Sequence, residues 1–228
     1  MKKIVIAIAA IAISAFVACE KENSTSTANY DRKALLENMA NQVIVPAFEQ
    51  FDVQAQTLLQ ASAAFDSTPN NTTLESLKQA YKSAYLSYQK ISAFEFGPAD
   101  EQQLAANLNV FPTDTNIILS NSTKATVDLN LPSNYSAKGF PALDFLLYST
   151  STHLAFYTDA SNGKLRRNYI KLLAQQIAAK ANTVNTAWKT SYSATFTQNT
   201  GTATGSSVSL LVNQLNSLFS KLYLRYWL

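Results

Sequence analysis

The chain has 228 residues with a formal charge of +3, and 47% of it is hydrophobic against 14% charged. Abundant apolar and aromatic residues exclude wholesale disorder, and the length fits one or two domains. A single cysteine (Cys19) and a single histidine (His153) exclude an internal disulfide framework, a Cys-rich zinc site and any two-His metal site within one chain. The small net charge and the lack of a basic run exclude nucleic acid as a partner.

The first nineteen residues read as an address. Lys2-Lys3 is a positively charged start, and Ile4 to Val17 is apolar apart from Ser14. That run is signal-like and too short to span a bilayer comfortably. Phe16-Val17-Ala18-Cys19 then matches a bacterial lipoprotein cleavage site with Cys19 as the first mature residue. An ordinary signal peptide with an incidental cysteine is the alternative. Several acyl chains on Cys19 would anchor the protein to the membrane stably. Residues 1–18 are therefore the signal peptide and 19–29 a polar, lipidated tether. The implied location is the cell envelope, on the periplasmic or outer face of the outer membrane. Residues 20–159 carry 15 acids and 8 bases, net −7, while residues 160–228 carry 8 bases and no acid. The basic segment is expected to seek an acidic surface, which would suit a chain that is part of a larger fold.

Residues 30–65 predict a helix from Leu35, Leu36, Met39, Val43, Phe48, Phe51 and Leu58, with Pro46 kinking or splitting it near Val45. After Pro69-Asn70-Asn71, Thr72 and Glu75 predict a capping box. The helix that follows carries Leu74, Leu77, Tyr81, Ala84, Tyr85, Tyr88 and Ile91 on one stripe. It should stop near Phe94-Glu95-Phe96-Gly97-Pro98. Asp100 to Leu108 suggests a short helix, and Thr113 or Asp114 caps another carrying Ile117 to Leu119. Pro132-Ser133-Asn134 marks a turn, and Pro141 suits the first turn of a helix reaching Tyr148. Lys164 to Phe196 predicts a long helix, 197–207 a loop, and Ser207 to Leu224 a last helix. The fold class is all-α, a bundle of about four long helices with short accessory ones over residues 30–228.

Several constellations carry two readings. Tyr81, Tyr85 and Tyr88 either line a ligand groove or form a half-buried bundle face. Lys164, Arg166, Arg167 and Lys171 either bind anions or form a solvated helix end. His153 reads as a surface residue. Two further segments each place Gly and Pro beside a helix end with an acid nearby: Glu95 to Pro98 with Asn109 to Asp114, and Lys138 to Tyr148.

Those last segments resemble the imelysin family of periplasmic and lipid-anchored bacterial proteins. The counterparts are Phe96-Gly97-Pro98, then Asn109 to Asp114, then Gly139-Phe140-Pro141-Ala142-Leu143-Asp144 in place of G-x-H-x-x-E. The resemblance covers roughly 30–225. It implies an all-helical fold of two bundle-like halves, a site near their junction and a link to iron uptake; an older naming as metallopeptidases comes with it. Pro141 and Asp144 replace the family's His and Glu, so the motif offers one oxygen ligand rather than a nitrogen–oxygen pair. The family's second half also extends beyond the Ser207–Leu224 helix, so the chain reads as C-terminally incomplete.

The expected function is a non-enzymatic, lipid-anchored binding protein serving iron or other nutrient uptake. Its site would comprise Glu95, Gly97, Pro98, Asp114, Gly139, Pro141 and Asp144. No catalytic residue is assigned. If a metal ion binds, Asp144 and Asp114 are the ligands, and oxygen donors favour iron or calcium over zinc. Partners are the membrane, through lipidated Cys19, and envelope uptake proteins. The alternatives are a metallopeptidase-like enzyme and a structural or adhesive surface lipoprotein.

Overall fold

A computed structural model describes residues 30–149 and 152–227, with side chains through residue 220. The expected signal peptide and tether, with Cys19, lie outside the described residues. Among the described residues every regular element is helical, and no helix is long and apolar enough to cross a membrane.

The first helical run is continuous from Arg32 to Ser67: α1 (Arg32–Asn38), a π-helical turn (Met39–Ile44) and α2 (Val45–Ser67). Pro46 does not split it. Proline cannot donate to the carbonyl one turn back, and its ring crowds that carbonyl. The widened turn just before it absorbs the misfit: the Val45 N–H bonds to Ala40 O, five residues back, and the chain re-enters α-geometry with Pro46 in the first turn of α2.

α3 (Asn71–Ile91) begins two residues earlier than the Thr72–Glu75 box predicts. Asn70 is the cap: its side chain accepts from the Thr73 N–H (3.0 Å), and Thr73 Oγ1 accepts from the Asn70 N–H (3.2 Å). Threonine can return the second bond because its hydroxyl reaches the cap residue's own amide, a task usually given to glutamate. Glu75 instead accepts from Lys78 one turn on (2.8 Å).

Short elements follow: α4 (Pro98–Glu101), α5 (Leu104–Leu108), α6 (Thr115–Asn121), a 3₁₀ turn (Pro132–Ala137), α7 (Gly139–Tyr148) and α8 (Leu154–Thr158). The predicted turn at Pro132 is thus a short 3₁₀ helix, and the predicted Asp100–Leu108 helix is two pieces. The last long helix before the C-terminal one runs from α9 (Gly163–Ala187) through a second π-helical turn (Trp188–Tyr192) into α10 (Ser193–Gln198). α11 (Ser207–Trp227) closes the described chain.

α2 packs against both α3 and α9, and α7 packs against α3 and α9, so three long helical runs form the main bundle. α11 meets α1 rather than joining as an equal fourth member. The core is continuous: Phe48, Phe51, Leu58, Leu77, Phe140, Ile177 and Trp188 are all fully buried within it. Burial of each large apolar side chain contributes about 1.5–3 kcal/mol, so this seam dominates the cohesion of the fold.

The uneven charge is resolved within the bundle. Lys164 (2.8 Å), Lys171 (2.9 Å) and Arg167 (3.4 Å) converge on buried Asp66 at the end of α2, and Lys189 reaches Glu49 (2.9 Å). Arg166 lies over the Phe156 ring (3.8 Å) and donates to the Phe156 carbonyl. Three of the four cations of the basic cluster thus serve one internal carboxylate, and the fourth, Arg166, serves an aromatic face and Asp159 (3.8 Å). Asp66 and Glu49 on α2 pair with four of the basic residues that follow residue 160.

Candidate functional site

The site grows from the tyrosine stripe. Tyr81, Tyr85 and Tyr88 follow at steps of four and three on α3, so their rings stack along one face. Tyr81 and Tyr85 have centroids 6.0 Å apart at 13°, and Tyr85 and Tyr88 6.5 Å apart at 13°. All three contact one ring, that of fully buried Phe140 in the first turn of α7, at 6.1, 5.2 and 5.3 Å.

Phe140 can insert because α7 starts tightly. Gly139 has φ +73°, and a Cβ there would lie 2.4 Å from the Leu108 carbonyl oxygen. Only glycine permits this backbone sign and this approach of α7 to α5. With Phe140 turned inward, Pro141 and Asp144 face an open cleft of about 750 Å³ between α3 and α7. Tyr81, Lys82, Tyr85, Leu86, Gln89 and Tyr148 form the rest of its helical walls, and the loop after α5 adds Asn109 and Phe111.

The Tyr81 hydroxyl donates to Asp144 Oδ1 (3.1 Å) and the Tyr148 hydroxyl to the Lys78 carbonyl (3.1 Å). Burial raises the Tyr81 phenol well above its ordinary value, and the Asp144 charge and hydrogen bond add to the effect. Burial and then Asp144 and Glu75 also raise Tyr148. Both phenols therefore stay protonated donors at neutral pH rather than phenolate ligands. The Lys82 ammonium stands 5.5 Å from the Tyr148 ring centroid.

The other expected site residues are placed as follows. Glu95 Oε1 accepts from the Ala105 N–H (2.7 Å), holding the first turn of α5. Gly97 has φ +55° and lies against the Tyr192 ring, 2.2 Å from where its Cβ would stand. Pro98 is buried and opens α4. Asp114 caps α6, accepting from the Asn116 and Ile117 N–H groups (2.9 and 3.1 Å). Pro141 and Asp144 thus line the cleft, and Gly139 positions them. Glu95, Gly97, Pro98 and Asp114 do not line it; they shape the turns around α4 to α6. Asp114 and Asp144 are not joined there as a ligand pair. Among the described residues no three His, Cys, Asp or Glu side chains cluster as a metal site. His153 is exposed just before α8.

The tyrosine stripe is both of the things it could be. Tyr81 and Tyr88 are buried bundle residues, and Tyr81 and half-buried Tyr85 line the cleft. Hydroxylated rings at helical spacing, where leucine would pack as well, were the signal in the sequence. Tyr148, Leu86 and Phe111 carried none that separates a cleft wall from an ordinary surface residue.

The architecture that carries the cleft is thus a helical bundle with a short Gly-Phe-Pro-initiated helix set against the stacked aromatic face of α3. Residues 44–222 match the imelysin family, and the chain belongs to it. It is 25% identical over 154 residues to iron-regulated protein A of Synechococcus elongatus, a match covering 68% of this chain and 40% of that protein. Its fold resembles that of an iron-regulated protein A precursor from Parabacteroides distasonis, with TM-score 0.63, 18% identity, and 81% and 54% of the two chains covered. It also resembles an imelysin-like protein from Psychrobacter arcticum, with TM-score 0.62, 16% identity, and 82% and 59% covered. The chain spans less than two thirds of each relative's length.

Proposed function

We propose that this protein is a non-catalytic, imelysin-like binding protein of the cell envelope, lipid-anchored through Cys19, that serves iron or other nutrient acquisition through the α3/α7 cleft. The observation that carries the reading is the cleft itself: aromatic walls on a rigid helix, with Asp144 held at its edge by the buried Tyr81 hydroxyl. Preformed, largely apolar concavities with a few placed polar groups are what small-ligand sites require. Two of the similar proteins bear the name iron-regulated protein A, which supports the link to iron.

A zinc peptidase site takes three protein ligands and an open position for water. The cleft lining supplies one carboxylate, Asp144, and no imidazole. Burial holds the Tyr81 and Tyr148 phenols protonated. These residues suit binding better than metal-assisted hydrolysis.

Deleting the gene should lower the iron content of cells grown under iron limitation. The wild-type gene should restore it, while Asp144→Ala and Cys19→Ser should not, and Cys19→Ser should move the protein out of the membrane fraction. Unchanged iron content in the deletion strain would refute the iron role. Full complementation by Asp144→Ala would refute the cleft.

A further inference from the structure

We infer that the cleft accepts a neutral, polyhydroxylated ligand, a short oligosaccharide or a glycosyl group, laid across its aromatic walls. The inference rests on the reading that this cleft is the ligand site, and not on the nutrient being iron.

The first ground is the charge of the cleft. It holds one cation, Lys82, and one carboxylate, Asp144, and neither forms an ion pair among the described residues. A polyanion would face Asp144 and a polycation would face Lys82, so a ligand with high charge of either sign meets one repulsion for each attraction. A neutral ligand meets none.

The second ground is hydrogen-bonding capacity without a partner. Among the described residues the Gln89 and Asn109 amides and the Tyr85 hydroxyl make no side-chain hydrogen bond. Asp144 accepts only one, from Tyr81, and keeps further lone-pair positions open. Hydroxyl groups both donate and accept, so one array of them can serve amides, a phenol, a carboxylate and an ammonium together.

The third ground is the exposed aromatic surface. Phe111 is 78% exposed and Tyr148 39% exposed, and both border the cleft. The faces of such rings are negative, and the slightly positive C–H faces of a sugar ring pack against them. The cleft's size, about 750 Å³, lies within the range of small-ligand sites and accommodates several sugar rings.

The purified chain would be screened on an array of neutral oligosaccharides and the best binder titrated by calorimetry. Phe111→Ala and Asn109→Ala, both at exposed positions that leave the core intact, should each weaken binding by about tenfold. Phe111→Tyr, which keeps the ring, should bind as the wild type does. Binding unaffected by these changes would overturn the inference. Titration with tetramethylammonium and with ferric citrate separates the two claims. If either binds in a manner sensitive to Asp144→Asn while no oligosaccharide binds, the sugar assignment fails and the cleft stands. If no probe binds, the inference fails, and the complementation by Asp144→Ala described above decides the cleft on its own.

Discussion

Replacing Gly139 by alanine should separate two costs that a single glycine conceals. At φ +73° an alanine takes a left-handed conformation, worth about 1 kcal/mol. Its Cβ would also stand 2.4 Å from Leu108 O, 2.6 Å from Leu108 C and 2.8 Å from Leu108 Cα. These are backbone atoms and cannot rotate aside, so α7 must back away from α5, adding about 1–3 kcal/mol. The expected total is about 3 kcal/mol, or a fall of about 6–12 °C in Tm for a domain of this size. Gly205 supplies the control. Its φ is +85°, but nothing lies within 4 Å of the Cβ position, so Gly205→Ala should cost only the conformational part, about 1 kcal/mol. Urea unfolding of the wild type and both variants measures the difference. Equal losses at the two positions would show that the contact with Leu108 does not hold α7 in place, and the account of how Asp144 reaches the cleft would fall.

Three further outcomes follow from the same structure. Burial alone would raise the Asp66 carboxyl, but the hydrogen bonds and charges of Lys164 and Lys171 outweigh it and hold the carboxyl below its ordinary value. Its stabilisation is therefore present above about pH 4 and lost as pH falls further. Asp66→Asn should cost about 1–3 kcal/mol at pH 7, discounted because Lys164 is largely exposed, and that deficit should shrink as pH falls below about 4; a deficit that does not change with pH would refute the network. Burial raises Tyr81, Tyr88, Tyr157 and Tyr169, the last to about 12. Their contribution is complete below about pH 10 and declines as pH rises, so thermal unfolding should drop steeply in alkali while ultraviolet titration shows late-ionising tyrosines. Asn70→Ala should destabilise α3 by about 1 kcal/mol, whereas Glu75→Ala should change urea stability by under about 0.5 kcal/mol; the reverse order would restore Thr72–Glu75 as the cap.

Much of this molecule was legible because its signals are local. The spacing of Leu74, Leu77, Tyr81 and Tyr88 marks a helix face within one segment, and nothing elsewhere needs to be known to read it. The same holds for Asp114 as a cap and for Pro141 in the first turn of α7. The π-helical turn before Pro46 was not legible, since a proline within a helical run allows a kink, a break or a widened turn, and the packing of α1 and α2 into one core selects among them. Nor was the use of Asn70 and Thr73 in place of Thr72 and Glu75. Adjacent residues offered equally good caps, and hydrogen-bond reach decided between them.

By itself the sequence determined the all-helical class, the imelysin kinship and the pairing of Gly139 with Asp144 on one short helix, because periodicity and motif order survive without coordinates. Only the tertiary structure decided which motif residues share a cleft. Asp144 lies beside Tyr81, 63 positions away in the chain, because Phe140 inserts among the tyrosines of α3. Asp66 gathers Lys164 and Lys171 because α9 lies against α2. Such meetings depend on how helices pack across long chain separations, and no short-range pattern records them.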